Sequence, residues 1–160
     1  MIKKISKNRL IVIIAGAIFL VAGLVGILVT FLTRDSKFSL DEDNFGAAEF
    51  VEISDEEYET MLSEQKSFVV FVDQDGCITA KGLKSIAEEI SKEKNLRIYK
   101  IMFADARKTS MYDNVKYYPS FVIVKKGKIV SWLKADADED VERYKDKTAL
   151  SNWLNNYLNW

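Results

Sequence analysis

Histidine is absent from this 160-residue chain, cysteine and proline occur once each, and glycine only seven times. Without histidine there is no imidazole to ligate a metal and no His-based nucleophile–base pair. A single cysteine, Cys77, excludes an internal disulfide and any dithiol that cycles within the chain. The glycines form no phosphate-cradling loop, and Gly23 and Gly26 fall inside a long apolar run. Internal repeats and low-complexity tracts are missing as well. Whatever sulfur chemistry the chain performs, it performs with one thiol.

What is there begins with that apolar run. Leu10 to Leu32 carries no charge, and as a helix it spans about 34 Å at 1.5 Å per residue, enough for a hydrocarbon core of about 30 Å. A cleaved signal would have a shorter apolar region, about 7–15 residues, ending at a small-residue site. Ala15-Gly16-Ala17 comes too early for that, and no cysteine near residue 30 offers a lipid-modified site. We therefore expect an uncleaved single-pass membrane anchor over residues 10–32, preceded by a basic stretch, residues 1–9. Lys3, Lys4, Lys7 and Arg9 lie before the run with no acid among them, so this flank is expected in the cytoplasm and the rest of the chain outside it. Ala22 and Gly26 make a small-xxx-small pair of the kind that packs two anchors, although such pairs are common by chance. Residues 34–160 hold 19 basic and all 24 acidic residues, a net charge of −5, which lacks the basic footprint of nucleic-acid binding.

Beyond the run, residues 33–48 are polar with scattered apolar positions and read as a linker, leaving residues 49–160 as the domain. Phe50 to Ile53 reads as a short strand. Ser54 then precedes Asp55-Glu56-Glu57, the spacing of a capping box at a helix start, and Tyr58, Met61 and Leu62 give that helix an apolar face. Phe68 to Val72 is an unbroken β-branched and aromatic run, the pattern of a strand buried on both faces. A helix follows Cys77, with Leu83, Ile86, Ala87 and Ile90 at one-face spacing. Leu96 to Phe103 reads as a strand and Arg107 to Asn114 as a short helix. Ser120 to Val124 and Ile129 to Leu133 flank Lys125-Lys126-Gly127-Lys128 as a hairpin. Leu150, Trp153, Leu154, Tyr157 and Leu158 line the last helix. The order β-α-β-α-β-α-β-β-α predicts a mixed central sheet with helices on both faces.

Over residues 49–159 the chain resembles the thioredoxin-like superfamily. The resemblance rests on the element order, on a cysteine where the second strand gives way to a helix, on a proline just before the hairpin, and on Lys-Lys-Gly-Lys-Ile-Val at the hairpin turn. It implies a three-layer α/β/α sandwich with a central mixed sheet, here preceded by one transmembrane helix. It also implies that Pro119 is cis and faces the active-site cysteine. Where the family carries Trp-Cys-Gly-Pro-Cys-Lys, this chain has Gly76, Cys77, Ile78, Thr79, Ala80 and Lys81. The resolving cysteine is thus Ala80, the family's buried acid six residues before the first cysteine is Phe71, and a glycine that admits partner chains is Ala135.

Two uses of such a site remain open. A helix N-terminus and Lys81 favour negative charge on Cys77, whereas Asp73 and Asp75 oppose it. A single thiolate can still attack a partner disulfide and hold it as a mixed disulfide. Equally, Cys77 is a small, buried apolar residue on a domain used only for binding. The resemblance further implies that backbone beside Pro119 pairs with an extended peptide, with Tyr117 and Tyr118 flanking that surface; the alternative is that one tyrosine is core and the other merely exposed. Candidate site residues are therefore Cys77 as the thiol, with Gly76, Lys81, Tyr118 and Pro119 as the partner-binding surface. Asp136-x-Asp138-x-Asp140 opens like a calcium loop, but Val141 and Lys147 stand where the loop needs glycine and glutamate, so a solvated acidic loop is expected. No metal and no cofactor is expected. The expected partners are the membrane and a polypeptide.

Overall fold

In the computed structural model, which describes residues 37–160, the two unbroken apolar runs become the two inner antiparallel strands of one sheet. The expected membrane span, residues 10–32, and its basic flank lie outside the described residues. Among the described residues no helix is long and apolar enough to cross a membrane.

Five strands are present: β1 (Phe50–Glu52), β2 (Phe68–Asp73), β3 (Ile98–Met102), β4 (Ser120–Lys125) and β5 (Lys128–Trp132). They lie in the order β1-β3-β2-β4-β5, with β1, β3 and β2 parallel and β4 and β5 each antiparallel to the preceding neighbour. The helices are α1 (Asp55–Ser63), α2 (Ile78–Lys94), the single turn α3 (Phe103–Ala106) and α4 (Lys147–Asn155). Side chains alternate across a strand, so one run supplies two cores. Val69 and Phe71 of β2 join Phe121 and Ile123 of β4 under α2 and α4, against Leu83, Ala87, Ile90, Leu150 and Trp153. Phe68, Val70 and Val72 face the other way with Val122 and Val124, against Tyr58 and Met61 of α1 and Met111. The expected mixed sheet between two helical layers is what forms.

Local chemistry sets the element ends. The Ser54 hydroxyl accepts the Glu57 N–H while the Glu57 carboxylate accepts the Ser54 N–H, the reciprocal capping box the sequence predicted. Asn95 closes α2 in the left-handed region (φ 51°), a conformation asparagine tolerates. The β4–β5 turn places Lys126 (φ 49°) and Gly127 (φ 71°) both in that region, as a two-residue hairpin turn requires. This turn also docks on the end of α1: Gly127 N–H donates to the Lys66 carbonyl at 2.8 Å and Lys126 N–H to the Ser67 hydroxyl at 3.0 Å.

Two segments differ from expectation. The short helix expected over residues 107–114 starts earlier: α3 follows β3 at once, and only Ser110–Asp113 forms a further 3-10 turn. Thr109 separates them by capping the second turn, its hydroxyl accepting the Met111 N–H and donating to the Ala106 carbonyl. Residues 38–48, expected to belong to a linker, are bonded to the domain. Phe38 exchanges backbone hydrogen bonds with Tyr157 and Asn159, Phe45 bridges Leu96, and Leu40 is buried. The buried Asn44 amide donates to the Asp41 and Ser67 carbonyls. The scattered apolar residues of this stretch cover the edge of the core beneath α2 and α4.

Gly127→Ala tests the hairpin docking. A Cβ there would lie 2.2 Å from the Leu62 carbonyl oxygen, in backbone that L side chains rarely adopt. Urea unfolding should show a loss of about 2 kcal/mol or more; an unchanged midpoint would mean that the turn is not held against α1.

Candidate functional site

Strand register decides which residues meet at the carboxyl end of β2. Phe71 pairs with Phe121 and Val72 with Ser120, so the end of β2, which runs on to Cys77, lies beside the start of β4, which follows Pro119. The Tyr118–Pro119 peptide is cis. The cysteine and the proline thus belong to one end of the sheet although 42 residues separate them in sequence.

Cys77 is the N-cap of α2 (φ −84°, ψ 121°). Its N–H donates to the Gln74 carbonyl at 3.3 Å and its carbonyl accepts the Lys81 N–H at 3.2 Å, while its side chain makes no capping hydrogen bond. The thiol is free, half-buried, and packed against the core beneath α2. Gly76 holds φ +73° with open space around it, so glycine serves the turn there and not a steric need. Ala80 is buried and joins the same core, whereas Lys81 is exposed and makes no ion pair among the described residues. Phe71, six residues before Cys77, is fully buried between Phe50 and Phe121.

The two tyrosines before the proline differ. Tyr118 is half-buried; its hydroxyl donates to the Val115 carbonyl at 2.5 Å and its ring lies 4.7 Å from that of Phe103. Burial pushes its phenol up to about 12, with Tyr112 adding to the rise and Arg107 opposing it. Tyr117, by contrast, is 56 % exposed. Pro119 is buried and its carbonyl accepts the Tyr144 hydroxyl at 2.9 Å. Burial raises the Tyr144 phenol well above its ordinary range, and Asp140 and Asp136 add to the effect.

Sequence did not assign Tyr144 or Asp140 to the site; Asp140 belongs to the acidic segment expected to be a solvated loop, and Tyr144 follows it. That expectation fails at Asp140. The segment is a 3-10 turn, Asp138–Tyr144, with Asp140 buried in it. Its carboxylate accepts the Lys134 N–H at 2.7 Å and is ion-paired with Arg143. The only sequence signal was an acid three residues before an arginine, which is too common to be read. Among the described residues no group of acidic, cysteine or histidine side chains is arranged to hold a metal.

Three large hydrophobic side chains are exposed among the described residues: Ile78 at 87 %, Tyr117 at 56 % and Val141 at 37 %. All three border this end of the domain. Ile78 follows Cys77 directly. Tyr117 and Trp132 line a pocket of about 180 Å³ that reaches Lys134. Val141 lines a second pocket, of about 190 Å³, which shares Lys134 and reaches Thr79 in the first turn of α2.

A mixed five-stranded sheet between two helical layers, with a cysteine at the N-cap of the helix after β2 and a cis-proline before β4, defines an α/β sandwich. The chain belongs to the thioredoxin family, whose profile matches residues 49–155. Among solved structures it is similar to a point-mutant thioredoxin from Halobacterium salinarum, at 16% identity and TM-score 0.56, over 72% of this chain and 96% of that one. It is also similar to the oxidised thioredoxin from Plasmodium falciparum, at 18% identity and TM-score 0.53, over 69% of this chain and 100% of that one. At such identities the likeness is one of fold. No curated protein matches the chain.

Two outcomes test the site's construction. Tyr144→Phe removes the donor to the Pro119 carbonyl and should lower unfolding free energy by about 1–2 kcal/mol, read by urea denaturation; no change would show that the bond contributes nothing net. The second concerns pH. Tyr118 is neutral when protonated, and its folded pKa of about 12 exceeds the ordinary 10.0, so the unfolded chain releases this proton first. Its contribution is therefore complete below pH about 10 and is lost as pH rises toward about 12. Denaturation midpoints should be flat from neutrality to pH about 9.5 and fall above it, less steeply in Tyr118→Phe; a midpoint rising with alkalinity would contradict this.

Proposed function

We propose that this chain is a membrane-anchored, extracytoplasmic thioredoxin-fold protein that engages polypeptides or partner thiols, as a monothiol or holdase-like module, through Cys77 and the surface at Pro119, without a dithiol cycle. The observation that carries the reading is that the exposed apolar side chains Ile78, Tyr117 and Val141 all lie near the end of the sheet at which α2 begins: Ile78 follows Cys77, Tyr117 lies two residues before Pro119, and Val141 lines a pocket with Thr79 of α2. Large apolar side chains exposed at one end of a domain fit a surface that a partner chain covers. In this role Gly76, Lys81 and Tyr118, with the backbone beside the buried Pro119, form the surface on which an extended segment lies. The Cys77 thiolate attacks one sulfur of a partner disulfide; a bond forms between that sulfur and Cys77, and the other partner sulfur leaves as a thiolate. Ala80 offers no sulfur to break the adduct, so release requires an external thiol, which is oxidised as Cys77 is regenerated. The apolar run at residues 10–32 supplies the anchor, with residues 1–9 in the cytoplasm and residues 49–160 outside. The role needs neither cofactor nor metal.

A second reading, a non-catalytic domain that docks an envelope or membrane partner, is favoured by one observation. Cys77 packs against the core and makes no polar contact with its side chain. Trapping separates the two. Cells expressing the full chain are acid-quenched, alkylated and resolved without reductant, beside Cys77→Ser. The capture reading expects reductant-sensitive adducts that vanish in the variant; their absence, with full function retained by Cys77→Ser, leaves the docking reading. Protease added to cells stripped of any outer barrier should remove residues 40–160, and protection of that region would overturn the orientation.

A further inference from the structure

The 3-10 turn Asp138–Tyr144 builds a pocket that neither the thiol nor the proline requires. Two bonds hold the turn against the site: the buried Asp140 carboxylate on the Lys134 N–H, and the Tyr144 hydroxyl on the Pro119 carbonyl. Between this turn and the first turn of α2 lies the opening of about 190 Å³. Ala137, Val141 and Tyr144 form its turn side, and Thr79 closes it from the helix. Ile78, the most exposed large hydrophobic side chain among the described residues, immediately precedes Thr79. Both charged residues in the lining are lysines, Lys134 and Lys145. Lys134 reaches Glu139 only at 4.0 Å, and Lys145 has no ion pair among the described residues.

We infer that this opening is a specificity pocket for a polypeptide partner, taking an aliphatic side chain with a carboxylate side chain next to it. The inference rests on the proposed use of this end of the domain for polypeptides. A volume of this size accepts a leucine or isoleucine side chain, and small alanine and valine walls reward burial of an aliphatic group over a polar one. The two lysines attract an adjoining carboxylate and repel a basic residue in the same place. Because the turn is bonded to Pro119 and abuts the helix that Cys77 caps, a segment engaged at the thiol extends into the pocket without leaving the site. The pocket selects the partner, and the thiol holds it.

The test uses the detergent-solubilised full chain and short synthetic peptides. Each carries one cysteine activated as a mixed disulfide with nitrothiobenzoate, so attack by Cys77 releases the coloured aromatic thiolate and leaves the peptide on Cys77. The peptides differ at two adjacent positions, Leu-Glu, Ser-Glu or Leu-Lys, placed at successive distances from the cysteine. At one of these distances the Leu-Glu peptide should react about tenfold faster than the other two, the scale of discrimination an apolar pocket supplies. Val141→Asp and Ala137→Leu should abolish that preference, and Ala137→Leu should leave attack on the small reagent dithio-bis-nitrobenzoate unchanged. In parallel, fluorescein-labelled, unactivated peptides are titrated against Cys77→Ser and followed by anisotropy. Equal rates for all three peptides, or a preference untouched by both variants, would overturn the pocket while leaving capture by Cys77 standing. Silence of Cys77 toward every peptide, together with Leu-Glu binding to Cys77→Ser that Val141→Asp removes, would uphold the pocket and end the thiol's role. Silence in both measurements would overturn the two together.

Discussion

The antiparallel register of β2 and β4 is the constraint on which the rest of the structure depends. Phe68 to Val72 and Phe121 to Val124 are fully buried, each strand feeding both cores at once. A shift by one residue would turn every one of these side chains to the wrong face, exchanging the aromatic pair Phe71–Phe121 for valines that fit the opposite layer. No polar residue within these runs would mark the error, so shape and volume alone fix the pairing. Once they do, the loop to Cys77 and the residue Pro119 are delivered to one end of the sheet. The site is a consequence of core packing before it is anything chemical.

The same dependence explains which parts were legible in the sequence. β2, β4, the Ser54 capping box and the Lys126-Gly127 turn each carry their own signal within a few residues: an apolar run, a polar pair at fixed spacing, a glycine where φ must be positive. Residues 38–48 carry none. Their apolar side chains are too sparse to show a period, and their backbone finds partners at Ser67, Asn95, Tyr157 and Asn159, each distant in sequence. The same holds for the acidic segment. Five carboxylates in a row of seven read as solvent-exposed, and nothing local singles out Asp140 as the one whose oxygens meet the Lys134 N–H and Arg143. Within the site, sequence pointed to Cys77 and Pro119 by their rarity but not to Tyr144, because a tyrosine announces its burial only through a partner 25 residues away.

The domain departs from a dithiol enzyme in a physically coherent way. A resolving thiol needs a sulfur near the first and a group to take up its proton. At Ala80 and Phe71 this chain has instead two apolar side chains, both buried and both in the core under α2. An acid at position 71 would have to be desolvated between Phe50 and Phe121, and burying a charge there without a partner is strongly unfavourable. The apolar pair removes that penalty and leaves β2 with an uninterrupted hydrophobic run. Apolar residues at both positions are therefore mutually consistent, since a second sulfur and a buried acid would each be of little use without the other.

What replaces internal chemistry is surface. The bonds from Asp140 to Lys134 and from Tyr144 to Pro119 hold a 3-10 turn against the helix capped by Cys77, and the turn brings Val141 to the same end as Ile78 and Tyr117. Holding three apolar groups in water is unfavourable for an isolated domain, and nothing in the core requires it. In the proposed role another chain covers them, and the apolar area then buried contributes to the affinity. In that role Cys77, at this end of the domain, turns a weak, reversible contact into one that persists until reductant arrives. Recognition and retention are then separable, and in the proposed role the turn governs the first while Cys77 governs the second.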